Sequence, residues 1–255
     1  MIIIPLPHYG FDPTEAAVPW CYLKKQDVEI VFATPDGQVA SADSRLLTGK
    51  GFGLFKRVLM AETSARDNYQ EMISSDSFKN PITYSEIEVT DYDGILLPGG
   101  HDKGMKSYLE SVILQKKVAE FFSAKKIIGA ICHGTVLVAR SADLKTGKSV
   151  IYDYQTTALL KRQEMSAYYL TALWLKDYYR TYALAVEDEV KSVLRDPRQF
   201  KSGRFTMRRD SLSDNEPAFV VQDRNYNSAR WPGDAHTFAE EFYRSLEEKN
   251  KPSTI

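Results

Sequence analysis

Strand-like segments alternating with helical ones predict an α/β fold, a doubly wound and mostly parallel sheet that carries a helical cap. Three observations point that way. Apolar, β-branched runs recur at residues 2–6, 28–33, 94–97 and 126–131. Helical patterns separate several of them, and Gly- or Pro-containing turns close three of the runs. Strands buried on both faces read as continuous apolar runs of this kind, because helices cover the sheet on each side.

The elements follow in order. After the first run, residues 7–13 form a loop. Asp12 suits a helix N-cap, Pro13 the first helical position and Glu15 the first turn. The helix continues through Ala16, Val18, Trp20 and Leu23, with Cys21 on its apolar, core-facing side. Residues 28–33 form the next strand, stopped by Pro35-Asp36-Gly37. Residues 41–90 break the alternation and predict an irregular insert. The run at 94–97 ends in Pro98-Gly99-Gly100-His101, and a helix is expected over 111–123. The run at 126–131 leads into Cys132-His133-Gly134 and a helix through Val136, Leu137 and Ala139. Residues 155–200 predict an almost entirely helical, aromatic-rich cap, with Tyr168, Tyr169, Trp174, Tyr178, Tyr179 and Tyr182. A last strand at 218–221 precedes an amphipathic C-terminal helix. The chain is read as one α/β domain over 1–250 with a frayed tail at 251–255.

Composition narrows the function. The 255 residues carry 33 basic and 34 acidic side chains, a formal net charge of -1. That leaves no basic field for phosphate backbones or anionic lipid, so neither nucleic acid nor a membrane is an expected partner. No apolar run approaches the roughly 20 residues that span a bilayer, and the N-terminus lacks the pattern of a signal peptide. Two cysteines, Cys21 and Cys132, are too few for a disulfide framework and suit a reducing compartment, the cytoplasm.

The chemistry concentrates at three strand-to-helix loops. In Gly129-Ala130-Ile131-Cys132-His133-Gly134 a strand runs through a small-residue turn directly into a helix, the logic of a nucleophile elbow. A thiol so placed is expected to be reachable, with its pKa lowered by the helix dipole. Gly99 and Gly100 follow a second strand and can bring backbone N–H groups close to a ligand. Glu15 follows the first strand. His8 and His101 are candidates to line the same cleft, and His236 is expected at the surface or in a cap. No ligand spacing supports a metal site among His8, His101, His133 and Glu15, and no nucleotide fingerprint is present, so no cofactor is expected.

Together, Asp12-Pro13-Thr14-Glu15, Leu97-Pro98-Gly99-Gly100-His101, Ala130-Ile131-Cys132-His133-Gly134 and Ser228-Ala229-Arg230-Trp231-Pro232-Gly233-Asp234 resemble the ThiJ/PfpI superfamily. That resemblance implies a flavodoxin-like, class I glutamine amidotransferase-like fold and the larger, capped branch of the superfamily. It implies Cys132 as nucleophile, Glu15 as the acid beside the thiol, His133 as base or proton shuttle, and the Gly100 and His133 amides as an oxyanion hole. It implies a homodimer and a small carbonyl or amide substrate handled without a cofactor, by a glyoxalase, deglycase, amidase or peptidase-like reaction. The alternative it carries is a stress-related chaperone or redox sensor with an oxidisable Cys132. The sequence departs from the pattern after the elbow, where Asp153-Tyr154-Gln155-Thr156-Thr157 replaces a more acidic stretch. Glu164 and Asp153 are then the candidates for orienting His133. A late His-x-Glu pair is missing, since Thr237-Phe238 follows His236, which speaks against glutaminase activity.

Overall fold

A computed structural model describes residues 1–250, so the tail at 251–255 lies outside the described residues. Nine strands are present: β1 (Ile2–Pro5), β2 (Tyr9–Phe11), β3 (Ile30–Thr34), β4 (Ser41–Ala42), β5 (Ile82–Thr83), β6 (Gly94–Leu97), β7 (Ile127–Ile131), β8 (Val220–Asp223) and β9 (Tyr226–Ala229). Seven form one sheet in the order β5-β3-β1-β6-β7-β9-β8, while β2 and β4 pair separately. Every neighbour in the main sheet is parallel except β8 and β9, which form an antiparallel hairpin at one edge. Ile3 stands opposite both Val31 and Ile95, and Ile95 in turn opposite Ile128. Ile3, Ile95 and Ile128 are wholly buried because helices cover the sheet, while Val31 is partly exposed. Each fully buried Ile contributes on the order of 2–3 kcal/mol of transfer free energy.

Helices Pro13–Lys25, Thr63–Ser74 and Ala235–Asn250 pack on one another as one layer, and Val112–Ser123 packs with Gly134–Arg140 in another. Strand order reverses beside β1, so the loops after β1, β6 and β7 open on one crevice at the carboxyl ends of the strands. The predicted N-cap holds: the Thr14 and Glu15 amides donate to Asp12 Oδ1 at 2.7 and 3.3 Å. Cys21 is buried on that helix, as its apolar side predicts.

Three boundaries differ from the expectation. Residues 41–90 are an ordered crossover rather than an irregular insert. They hold helices Ser44–Thr48, Lys56–Leu59 and Thr63–Ser74 and end in the edge strand β5. Their short, polar elements carry little periodicity. The cap over 155–200 contains helices Lys161–Leu175 and Val186–Ser192, with turns between them in place of continuous helix. The last strand lies at 220–223 and is followed by β9, which reads as polar in sequence yet is fully buried. Internal bonds satisfy β9: Asn227 Nδ2 donates to Ser245 Oγ at 3.1 Å, and the Thr157 amide donates to Ser228 Oγ at 3.0 Å.

A second, smaller apolar cluster joins the cap to the crossover through Leu46, Phe52, Leu59, Ala167, Tyr178 and Tyr179. It sits over the crevice and roofs the site described next. Among the described residues no helix is long and apolar enough to cross a membrane.

Candidate active site

Cys132 has φ 57, a left-handed conformation that a non-glycine residue adopts only under constraint. The constraint is local. The Cys132 amide donates to Ala229 O at 3.1 Å, and Thr135 Oγ1 donates to Cys132 O at 2.6 Å. Small neighbours are obligatory. A Cβ on Gly134 would lie 2.1 Å from Leu97 O, and one on Gly99 would lie 2.6 Å from the His133 nitrogen and 2.9 Å from Glu15 Oε2. The turn after β7 and the glycine pair after β6 therefore interlock through backbone contact.

Glu15 reaches this junction from the first helix. The Gly99 amide donates to its Oε2 at 2.8 Å, and the Asp12 amide donates back to Gly99 O at 2.8 Å. Glu15 is wholly buried, and its pKa is raised well above the ordinary carboxylate value, by burial first and by the nearby Asp12 charge second. The Glu15 charge acts on Cys132, and Glu15 Oε1 has no hydrogen-bond partner among the described residues. Asp12, also buried, is raised to about 6 by its desolvation, against the pull of Arg209.

The expectation of a reachable thiol with a lowered pKa is corrected. Cys132 is 0% exposed, and its pKa is raised well above that of a free thiol. Burial is the main cause, followed by the charges of Glu15 and Asp12, while the His133 backbone N–H pulls the other way. The helix beyond it, Gly134–Arg140, is only seven residues long and cannot offset two buried carboxylates. Since both partners are raised, the Glu15–Cys132 pair retains a proton at neutral pH.

His133 follows in the chain and sets Nδ1 3.5 Å from Cys132 Sγ. Its ring packs edge-on against His101 at 4.9 Å between centroids, and His101 packs in the same way on Tyr179 at 4.8 Å. Burial lowers both imidazoles, His101 to about 4 and His133 well below its usual value, so both are neutral at pH 7. The Gly100 amide has no hydrogen-bond partner among the described residues and is free for a ligand oxygen. His101, Cys132 and His133 place possible ligand atoms, two nitrogens and a sulfur, within 4.8 Å of one another.

Two candidates lie elsewhere. His8 is at the surface, with Nδ1 3.5 Å from Asp36, because the loop after β1 turns it away from the crevice. Asp153 is an exposed residue paired with Arg195 at 2.9 Å, on the far side of the 149–160 loop from the cleft, so it cannot orient His133. Glu164 is buried in the cap, where the Val186 amide donates to its Oε2 at 3.0 Å and Arg180 lies 3.7 Å from Oε1. Desolvation raises it to about 7. No hydrogen bond joins it to His133 among the described residues. His236 opens the C-terminal helix, its amide donating to Asp210 at 3.3 Å.

A cavity of about 60 Å³ adjoins the site, lined by Asp12, Thr14, His101, Glu164, Tyr179, Arg209 and Trp231 together with apolar cap residues. Cys132 is not on its wall; His101 belongs to both. Sequence reasoning missed Arg209 and Tyr179 as site residues. Tyr179 sits in the recognised aromatic stretch, but Arg209 lies in a loop with no periodic signal.

A family model described as ThiJ/PfpI family-like matches residues 6–201. An uncharacterised protein of Schizosaccharomyces pombe is 27% identical over 179 residues, 66% of each chain. A glutathione-independent glyoxalase of the same yeast is 26% identical over 157 residues, 61% of this chain and 62% of its own. The matched stretch is thus just under two thirds of either relative. The crystal structure of glyoxalase III from Candida albicans superimposes with a TM-score of 0.67 at 19% identity, covering 96% of both chains. The described fold, a mostly parallel sheet with flanking helices, is the one these proteins share.

Proposed function

Because this chain belongs to the ThiJ/PfpI-like family, we propose that it is a cysteine-dependent, cofactor-free glyoxalase that converts a small 2-oxoaldehyde to the 2-hydroxy acid. One observation carries the reading: a buried Cys132 on a left-handed turn, beside a buried Glu15 whose pKa is raised by its burial, with the neutral His133 3.5 Å from the sulfur. In the proposed sequence Cys132 Sγ adds to the aldehyde carbon, and the proton held by the Glu15–Cys132 pair passes to the carbonyl oxygen. His133, neutral and therefore able to accept, removes the proton on that carbon. Its return to the neighbouring carbon, with the hydroxyl proton of the first carbon passing to the former ketone oxygen, leaves a 2-hydroxy thioester, which water hydrolyses to the 2-hydroxy acid and the free thiol. The aldehyde carbon is oxidised and the ketone carbon reduced within one molecule, so no external oxidant or reductant enters. The free Gly100 amide suits the developing oxyanion. The cytoplasm, where both cysteines stay reduced, is the compartment this chemistry suits.

The test is methylglyoxal turnover with chiral analysis of the lactate formed. Cys132→Ala should fall at least a thousandfold. A rate in Cys132→Ala equal to wild type would end the proposal. A second reading, a chaperone, draws on two exposed apolar side chains, Leu54 of the crossover at 99% and Leu173 of the cap at 95%. It predicts that suppression of client aggregation survives Cys132→Ala and is lost when those two leucines become serine.

A further inference from the structure

The cavity beside His101 is short of hydrogen-bond acceptors. Nine buried side-chain polar atoms lack a partner among the described residues, and four of them belong to residues lining this one cavity: Thr14 Oγ1, His101 Nδ1, Arg209 Nη1 and Trp231 Nε1. Arg209 and Trp231 can only donate, and Thr14 can donate. The carboxylates nearby make their hydrogen bonds to backbone amides, not to these donors. Asp12 Oδ1 accepts from the Thr14 and Glu15 amides, and Glu164 Oε2 accepts from the Val186 amide. Arg209 makes no ion pair among the described residues. Its Nη2 donates to Val58 O and Met60 O, each at 3.3 Å, which fixes the guanidinium; its charge acts on Asp12 without a salt bridge, and it lies 5.8 Å from the Trp231 ring centroid. The loop behind it is fixed as well, since the neighbouring Asp210 accepts from the Thr237 amide at 2.7 Å and its own amide donates to Gly233 O at 2.8 Å. Arg209 Nη1, an indole N–H and a hydroxyl, each without a partner and all lining one cavity, cost free energy unless an acceptor completes them, and the fixed positive charge favours an anionic one.

Size bounds that acceptor. The cavity, about 60 Å³, is far below the roughly 150 Å³ that admits a benzene ring. We propose that Arg209, Trp231 and Thr14 form a carboxylate subsite, and that the preferred ligands are two- or three-carbon carbonyl acids, the carboxylate on Arg209 and the carbonyl directed toward His101 and Cys132. This rests on the glyoxalase reading for the direction of the carbonyl, but not for the binding of the carboxylate.

The experiment measures equilibrium binding in Cys132→Ala, where no turnover can occur, by titration calorimetry with pyruvate and with its neutral isostere pyruvamide. Pyruvate should bind at least tenfold more tightly. Arg209→Gln should erase that preference. Trp231→Phe, which keeps the ring and removes only the N–H, should weaken pyruvate severalfold and leave pyruvamide unchanged. Equal binding of the two ligands, or a pyruvate preference that survives both substitutions, would overturn the proposal. Because Arg209 also ties residues 58–60, the Trp231→Phe comparison decides the matter if Arg209→Gln loosens that loop. Loss of the glyoxalase reading through methylglyoxal kinetics would leave these binding constants untouched, so the two failures are distinguishable.

Discussion

Beneath the cavity, Cys132, Glu15, Gly99 and Gly134 are held by backbone contacts that leave no space for one more carbon; above it, Leu54 and Leu173 stand almost wholly in solvent. The first region belongs to the sheet and its loops, where strand register and the turn geometry place every atom. The second belongs to the cap and the crossover, which share their own small apolar cluster. The contrast divides the labour. On the proposed reading, reaction geometry would rest on parts that tolerate no change, and ligand size and charge on parts that can vary.

The sharpest way to break this comparison is a pair of glycine substitutions. Gly134→Ala must push a methyl group into Leu97 O and should abolish soluble folded protein or cost more than about 4 kcal/mol. Gly53→Ala in the cap crossover, where nothing lies within 4 Å, meets only its φ of 52 and should cost about 1–2 kcal/mol. Thermal melting of both variants decides; similar losses would erase the distinction between floor and roof.

Next in size is the buried ion pair between them. Arg230 and Asp234 are both wholly buried, the guanidinium donating through Nε and Nη2 at 2.8 and 2.7 Å, and Arg230 also donates to Arg204 O and Pro217 O. Arg230→Met should cost about 3–5 kcal/mol by stranding the carboxylate, and should release the 204–217 loop to proteolysis. A variant that melts within a degree of wild type would contradict this.

A smaller effect is read through pH. The folded pKa of Glu164 is raised to about 7 from an ordinary value near 4.5, so the native state binds its proton more tightly than the unfolded chain does. The stability this provides is complete below pH 4.5 and is lost as pH rises through 7, by about 3 kcal/mol at most. His101, depressed to about 4, acts in the opposite sense: its contribution is complete above pH 6.5 and is lost as pH falls toward 4. Denaturant titrations of Glu164→Gln should therefore show a flatter decline between pH 5 and 8 than wild type. An unchanged slope would mean that the cap carboxyl is not buried in solution.

Smallest of all, Leu54→Ser and Leu173→Ser should each shift stability by no more than about 0.5 kcal/mol. A larger loss would indicate that a second molecule covers the cap, as in the expected dimer.

The two regions also differ in how much of them the sequence discloses. The floor is legible because its cause is local: an apolar strand running into Cys132-His133-Gly134, a glycine pair after another strand, and a capped helix start each declare themselves within a few residues. What local pattern could not supply was the thiol's environment, since the carboxylates that raise it come from residues 12 and 15, over a hundred positions away. The cap is less legible for the same reason. Arg209 acquires its place from Val58, Met60 and the Asp210 contact to the last helix, none of which leaves a periodic trace. His8 and Asp153 show the opposite failure, in which a suitable residue type near a strand end proves to face water.

The reciprocal bonds across the first two loops, Gly99 N–H to Glu15 and Asp12 N–H to Gly99 O, stitch them into one rigid piece. Any shift of the glycine turn therefore moves the Glu15 carboxyl with it, so the two loops travel as a unit.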